Sequence, residues 1–132
     1  MRARRIETLP NRYEEHHYVC HHVFPELTAL CPVTKLPDFY TIRLSYEPES
    51  RIVELRSLKL YFVEYRNVEI LHEEIANRVL DDFIRAVQPR CVRIEVRVNV
   101  RGGIDTTIVR RWSKERGDEI PTADLKIGGQ PM

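Results

Sequence analysis

The segment from Cys91 to Arg101 constrains the fold more than any other. Val92, Ile94, Val96, Val98 and Val100 alternate without a break with Arg93, Glu95, Arg97, Asn99 and Arg101. Alternation of this length, built on β-branched residues, is a strand with one face in a core and the other in water. Slipping the register by one residue would exchange the two faces, so its pairing is tightly specified. Such a strand needs neighbours on both edges and an apolar layer over its valine face.

The chain supplies both. From Phe39 to Tyr46, Tyr40, Ile42, Leu44 and Tyr46 alternate with Thr41, Arg43 and Ser45, and Pro48 and Ser50 mark the turn that ends this second strand. Ile104 to Trp112 reads as the last strand, reached through a bend at Gly102-Gly103. A first strand is expected over His16–Phe24, stopped by Pro25. For the covering layer, Leu71, Ile75, Val79, Phe83 and Val87 recur every four residues, with Ile84 beside them. They predict a helix over His72–Val87, with Asn67 or Glu69 near its start and Pro89 as its stop. A shorter helix is expected from Glu54 to Tyr65, where Leu55, Leu58 and Phe62 make a stripe that Leu60 and Val63 broaden. The order strand, strand, helix, helix, strand, strand is an α+β layout, two helices on one face of a four-stranded antiparallel sheet. At 132 residues the expectation is one domain over 1–132, with 1–15 and 113–132 loosely ordered.

Several function classes fall away. A net charge of +1 gives no strongly basic platform for nucleic acid. Three widely spaced cysteines form no disulfide framework. There is no apolar run of membrane-spanning length, and Met1-Arg2-Ala3-Arg4-Arg5 lacks the apolar core of a signal peptide, so the expected home is a reducing cytoplasm. Gly102-Gly103 and Gly128-Gly129 match neither a Rossmann fingerprint nor a phosphate-binding loop. The run His16-His17-Tyr18-Val19-Cys20-His21-His22 carries zinc-ligand residue types, but on a strand they alternate between faces and no second cluster follows; no metal is expected.

Two features could carry chemistry. Cys31-Pro32-Val33-Thr34-Lys35-Leu36-Pro37-Asp38-Phe39 holds a thiol and a carboxyl on a loop stiffened by two prolines. They read either as a nucleophile and a proton donor or as a surface turn with a half-buried cysteine. Arg56 and Lys59, three apart, share a helical face that could meet a phosphate; with Tyr61 they could equally be the solvated side of an amphipathic helix. Glu73 and Glu74, in a first helical turn, also suit the helix dipole.

The cysteine loop resembles the active-site loop of the 7-cyano-7-deazaguanine (preQ0) reductases, the nitrile reductases of queuosine biosynthesis in tRNA modification. Glu54-Leu55-Arg56-Ser57-Leu58-Lys59-Leu60-Tyr61 resembles that family's nucleotide-binding signature, and Arg66-Asn67, His72-Glu73 and Arg101-Gly102-Gly103-Ile104 follow at similar spacing. The resemblance runs from about His22 to Trp112. It implies the tunnelling fold, in which subunits join sheets into a barrel, as a pentamer or decamer with sites shared between chains. It implies NADPH as cofactor and reduction of preQ0 to 7-aminomethyl-7-deazaguanine (preQ1) through a thioimide on Cys31, with Asp38 as proton donor. It further implies that Val53, Glu54, Leu55, His72 and Glu73 bind the base, and that Glu54 to Tyr61, including Arg56, Ser57, Leu58, Lys59 and Leu60, bind the cofactor. A related archaeal enzyme, the preQ0-tRNA amidinotransferase, uses the same Cys and Asp without NADPH, and only there would nucleic acid be a partner. The Glu54–Tyr61 signature separates the two. A non-catalytic oligomeric ring remains the third reading. The chain departs from the family's usual residues at Arg56 (lysine), Lys35 (glycine) and Leu71 (aromatic).

Overall fold

A computed structural model of the chain describes residues 5–119, 125–127 and 130–131. The start of the basic N-terminus and Gly128-Gly129 lie outside the described residues. The elements run β1 (Thr8–Pro10), β2 (Cys20–Leu30), β3 (Pro37–Glu47), β4 (Arg51–Val53), α1 (Leu55–Val63), a 3-10 turn (Glu64–Asn67), α2 (His72–Val87), β5 (Cys91–Arg101), β6 (Ile104–Ser113) and β7 (Gly117–Glu119). A short pair, β8 (Lys126–Ile127) and β9 (Gln130–Pro131), follows.

The valine strand sits where its pattern requires. The main sheet has the order β2-β3-β5-β6-β7 and is antiparallel throughout, with β5 at its centre. Ile42 pairs with Val96 and Leu44 with Ile94, so the apolar sets of β3 and β5 share one face. Tyr40, Ile42, Leu44, Tyr46, Val92, Ile94, Val96 and Val98 are buried there against Ile75, Ala76, Val79, Leu80, Phe83 and Val87 of α2. Tyr46 and Phe83 meet edge to face, with centroids 4.9 Å apart. Each such large side chain, once buried, stabilises the fold by roughly 1.5–3 kcal/mol.

Several expectations are corrected. Pro25 does not end its strand: β2 starts later, at Cys20, and runs on to Leu30, the register shifting between Phe24 and Leu27. Because β2 is an edge strand, the missing N–H of Pro25 breaks no ladder between two neighbours, and a bulge absorbs it. The sheet has five strands rather than four, since β7 folds back on β6 within the tail expected to be loose. The N-terminal segment contributes β1, which pairs with β4, and it buries Ile6 in the core. The first helix is shorter than expected, with Glu54 as its cap and a 3-10 turn replacing its last residues. Leu71 is the N-terminal cap of α2, two residues after Glu69, and caps it without a side-chain bond. At the other end Gln88, left-handed at φ 52°, donates its N–H to the Ile84 carbonyl before Pro89. Val100, Leu55 and Leu71 continue their apolar patterns yet stand more than half exposed, at 56%, 54% and 56%. Tyr61, in contrast, is not on a solvated face but fully buried.

Candidate active site

Leu30 is where distant parts of the sequence converge. Its N–H donates to the Val68 carbonyl at 2.9 Å, and its own carbonyl accepts from Ile70 N–H at 3.0 Å. The segment leading into α2 therefore runs parallel beside the end of β2, and Leu30 bridges Glu69. That places the start of α2, with His72 and Glu73, next to the loop that opens at Cys31.

The loop is a closed hairpin. Cys31 N–H donates to the Leu36 carbonyl and Lys35 N–H to the Cys31 carbonyl, both at 2.9 Å. This closure puts Lys35 in the left-handed region at φ 63°, a conformation that favours glycine. The Lys35 ammonium reaches back to the Pro32 carbonyl at 2.7 Å and across to Glu69 Oε1 at 2.6 Å. Inside the turn, Thr34 N–H points at Cys31 Sγ, 3.5 Å away. Hydrogen bonds from Thr34, and then from Val33, hold the Cys31 thiol below its ordinary pKa, while partial burial and the Asp38 carboxyl push the other way. The net direction favours thiolate.

Asp38 lies opposite Ala29 across the β2–β3 ladder, one pair in from the loop. Leu27 and Ala29 of β2 are buried in the core, as Tyr40 is on β3, and Asp38 is only 5% exposed. Tyr40, two residues on, brings its hydroxyl within 2.8 Å of His72 Nδ1, the rings edge to face with centroids 5.4 Å apart. Glu73 is exposed; its carbonyl accepts from Asn77 Nδ2 at 2.9 Å. Glu74 pairs with Arg78 along the helix at 3.1 Å, so of the two acidic residues only Glu73 keeps its carboxylate uncommitted among the hydrogen bonds and ion pairs of the described residues. Cys31, Asp38, His72 and Glu73 thus come together at one end of the sheet.

Val53, Glu54 and Leu55 do not join them. Val53 N–H donates to the Tyr46 hydroxyl at 2.9 Å, which pins this segment to the opposite end of β3. Asp38 and Tyr46 are eight residues apart on one strand, roughly 26 Å at about 3.3 Å per residue. Glu54 turns its carboxylate onto its own helix, accepting from Arg56 N–H at 2.7 Å and Ser57 N–H at 2.9 Å. Ser57 is committed too, its hydroxyl bonding Glu7 N–H and the Glu54 carbonyl. Leu58 and Tyr61 are core residues, and the Tyr61 hydroxyl meets Tyr65 and Asp82; burial drives its pKa far up, so it stays protonated. Within the signature, only Leu55, Arg56 and Lys59 are exposed, with Leu60 half-buried.

Leu55, Leu58, Lys59 and Phe62 form one wall of a groove of about 260 Å³, faced by His21 to Phe24, Ile42 and Leu44. Neither Arg56 nor Lys59 has a carboxylate partner among the described residues. Lys59 at the groove wall and Arg56 three residues before it on the same helix could give charge to a phosphate, and the apolar wall could take a ring. The histidine run is split by its strand. His21 Nδ1 meets the Ser45 hydroxyl at 2.6 Å on one face, and His22 lies against Tyr46 on the other. Among the described residues no three His, Cys, Asp or Glu side chains converge.

Three participants escaped the sequence reading: Thr34, Tyr40 and Glu69. Tyr40 had a signal, being two residues from Asp38 and so on its face of the strand. Glu69 had none, because only the parallel bridge to Leu30 brings it to Lys35.

The chain is similar to known proteins over this whole frame. The family described as QueF-like protein matches residues 37–117. The NADPH-dependent 7-cyano-7-deazaguanine reductase of Alkalilimnicola ehrlichii is 45% identical over 120 residues, 91% of this chain and 93% of that one. The protein of the same name from Chlorobaculum tepidum is 44% identical over 111 residues, covering 84% and 95%. Among solved structures, the archaeosine synthase QueF-Like in its apo form superposes with a TM-score of 0.66 at 26% identity, over 70% of this chain and 91% of that one. With residues 37–117 matched and 45% identity across nine-tenths of its length, the chain belongs to the family of NADPH-dependent 7-cyano-7-deazaguanine reductases.

Proposed function

We propose that this chain reduces the nitrile of preQ0 to the amine of preQ1 with NADPH, in queuosine biosynthesis. The observation that carries the reading is the pairing of a thiol biased toward thiolate with a buried carboxyl on the same hairpin. The Cys31 thiolate adds to the nitrile carbon, and Asp38 gives a proton to the nitrile nitrogen, leaving a thioimide with one C–S bond formed and one C–N π bond broken. Bound NADPH supplies hydride, two equivalents for the four-electron conversion of nitrile to amine. The first hydride adds to the thioimide carbon and the C–S bond breaks, releasing the Cys31 thiolate and leaving an imine; the second hydride and a second proton from solvent reduce that imine to the amine. Burial of Asp38 keeps bulk water from competing for the reacting nitrogen. The Glu73 carboxylate accepts the two N–H bonds of the pyrimidine edge, with His72 alongside, while Arg56 and Lys59 take the cofactor phosphate.

The separation of Val53–Leu55 from Cys31 supports a site completed between chains. Among the described residues β2 and β7 are the edge strands of the main sheet, and apart from the Leu30–Glu69 bridge neither has a further strand beside it. Edge-to-edge addition joins unlike surfaces, and such heterologous contacts close into rings, here a pentamer or a stacked decamer. The expected home is the cytoplasm; among the described residues no helix is long and apolar enough to cross a membrane. The archaeosine synthase likeness supports the fold, but identity of 45% to reductases against 26%, and the retained Glu54–Tyr61 signature, favour reduction over transfer to tRNA. Incubation with preQ0 should consume two NADPH per preQ1 formed, followed by nicotinamide absorbance. Formation of a modified tRNA without NADPH consumption would overturn the reading.

A further inference from the structure

The bond between Tyr40 and His72 has a consequence for which base the site accepts. Tyr40 is fully buried on β3, its ring fixed by the core, and its hydroxyl stands 2.8 Å from Nδ1 of a half-buried histidine. A phenol, with a pKa of about 10, is a far better acid than a neutral imidazole N–H, and an imidazole nitrogen far the better base. Between these two groups the phenol is the better donor and Nδ1 the better acceptor, which puts the proton of the bond on the tyrosine oxygen. The hydrogen of the neutral ring is then on Nε2, the nitrogen turned away from Tyr40.

We propose that Tyr40 is a positioning residue that fixes the His72 tautomer, so that Nε2–H reads the 6-oxo group of the base. This rests on the placement of His72 and Glu73 in the base pocket. A guanine-type edge offers, in order, an acceptor oxygen at position 6, a donor at N1 and a donor at the 2-amino group. Glu73, an acceptor only, satisfies the two donors. The oxygen needs a donor beside that carboxylate, and His72 is the adjacent residue. With Nδ1 occupied by Tyr40, the imidazole can present only N–H. The wrong tautomer would set lone pair against lone pair, leaving a buried acceptor unpaired. Selection of an oxo over a weaker acceptor thus traces to a hydroxyl that never touches the base.

The test uses the full chain in its native assembly, with preQ0 and its 6-thio analogue, which keeps both N–H donors and weakens only the acceptor. For the unaltered protein, kcat/KM should favour preQ0 over the thio analogue by roughly tenfold, the worth of one hydrogen bond. In Tyr40→Phe, which keeps the ring and its packing, KM for preQ0 should rise several-fold, kcat should change little, and the preference over the thio analogue should collapse toward unity. Nitrogen-15 spectra of histidine-labelled protein, with the His72 signals assigned by their loss in His72→Gln, should show Nε2–H alone in the unaltered protein and mixed tautomers in Tyr40→Phe. An undiminished oxo preference in Tyr40→Phe, or an Nδ1–H tautomer in the unaltered protein, overturns the proposal. If the tautomer is fixed as argued but His72→Gln leaves KM and preference unchanged, the placement of His72 against the base fails, and the specificity role with it.

Discussion

The two ends of β3 differ in what they leave unfinished. At the Asp38 end the strand turns straight into the cysteine hairpin. Cys31 and Asp38 from the hairpin and His72 and Glu73 from α2 are gathered there, and Lys35 beside them is committed to Glu69. At the Tyr46 end, some 26 Å away at about 3.3 Å per residue, the strand docks β4 and launches α1, whose Leu55 and Lys59 line an apolar groove with Arg56 exposed on the same helix; the Cys91 thiol at that end has its pKa raised by burial and Glu47. One end carries the groups proposed to react and the other the cations proposed to meet the cofactor. A single chain cannot fold one onto the other, because the rigid strand lies between them. In the proposed head-to-tail ring, the Asp38 end of one copy would meet the Tyr46 end of the next.

The largest effect comes from removing the reactive end. Cys31→Ala should abolish turnover, by on the order of 10³-fold or more, and should abolish the one-base mass added by preQ0 without NADPH. The other end is inactivated most cleanly through Arg56→Ala with Lys59→Ala, exposed side chains that cap nothing; KM for NADPH should rise while adduct formation persists. Glu54→Ala is the poorer choice, since it also removes the α1 cap, at about 1 kcal/mol. If the two inactive variants are unfolded together and reassembled, about a quarter of the sites should have both faces intact in a heterologous ring. Activity should return toward that level, and light scattering should find a particle several times the 15.7 kDa chain. A fully active monomer would break the comparison.

A smaller effect tests the link that holds the recognition end in place. In Tyr46→Phe the buried Val53 N–H loses its acceptor, which costs about 1–3 kcal/mol in urea unfolding. Because β4 and α1 hang from that bond, KM for NADPH should rise, while alkylation of Cys31 at the far end stays as it was.

The thiols compare the two ends again. Cys91 pairs with Glu47 at the Tyr46 end, where burial and that carboxylate raise its pKa, while hydrogen bonds lower that of Cys31. A depressed thiol pKa means more thiolate at neutral pH, so iodoacetamide should label Cys31 before Cys91, with a lower pH midpoint. Thr34→Val removes the first cause of the depression and should move the Cys31 midpoint upward. Equal rates for the two cysteines would remove the electrostatic case for Cys31 as nucleophile.

Much of the frame was legible in the sequence because it is periodic. The valine strand and α2 were read to the residue, since alternation and the four-residue stripe are local consequences of burial. What was not legible depends on neighbours. Pro25 reads as a stop until β2 is known to be an edge, and Tyr61 reads as solvated until α2 covers it. β1 and β7 are three-residue strands with no pattern of their own, made by their partners. At the site, the loop motif pointed to Cys31 and Asp38, while Thr34, Tyr40 and Glu69 act through geometry that motifs do not encode.

The smallest effect expected is Lys35→Gly, and its size is informative because opposing terms nearly cancel. A left-handed lysine costs about 1 kcal/mol, which glycine relieves. Glycine also makes the unfolded chain more flexible, at a cost of about 0.5–1 kcal/mol. The exposed Lys35–Glu69 pair is worth no more than about 1 kcal/mol. Unfolding stability should therefore stay within about 1 kcal/mol of the unaltered chain. What should move is the coupling of the hairpin to α2. Without the ammonium bridging Pro32 and Glu69, the Cys31 loop is tied to the His72 segment through the Leu30 backbone bonds and, by way of β3, the Tyr40–His72 bond, and preQ0 adduct formation should slow modestly while NADPH binding at the other end is untouched. Glu69→Gln, which keeps a weaker acceptor and leaves lysine in place, should give part of the same slowing. If both variants form adduct at the unaltered rate, the ammonium bridge is a surface pair without consequence, and the Leu30 backbone bonds with the Tyr40–His72 bond register this end.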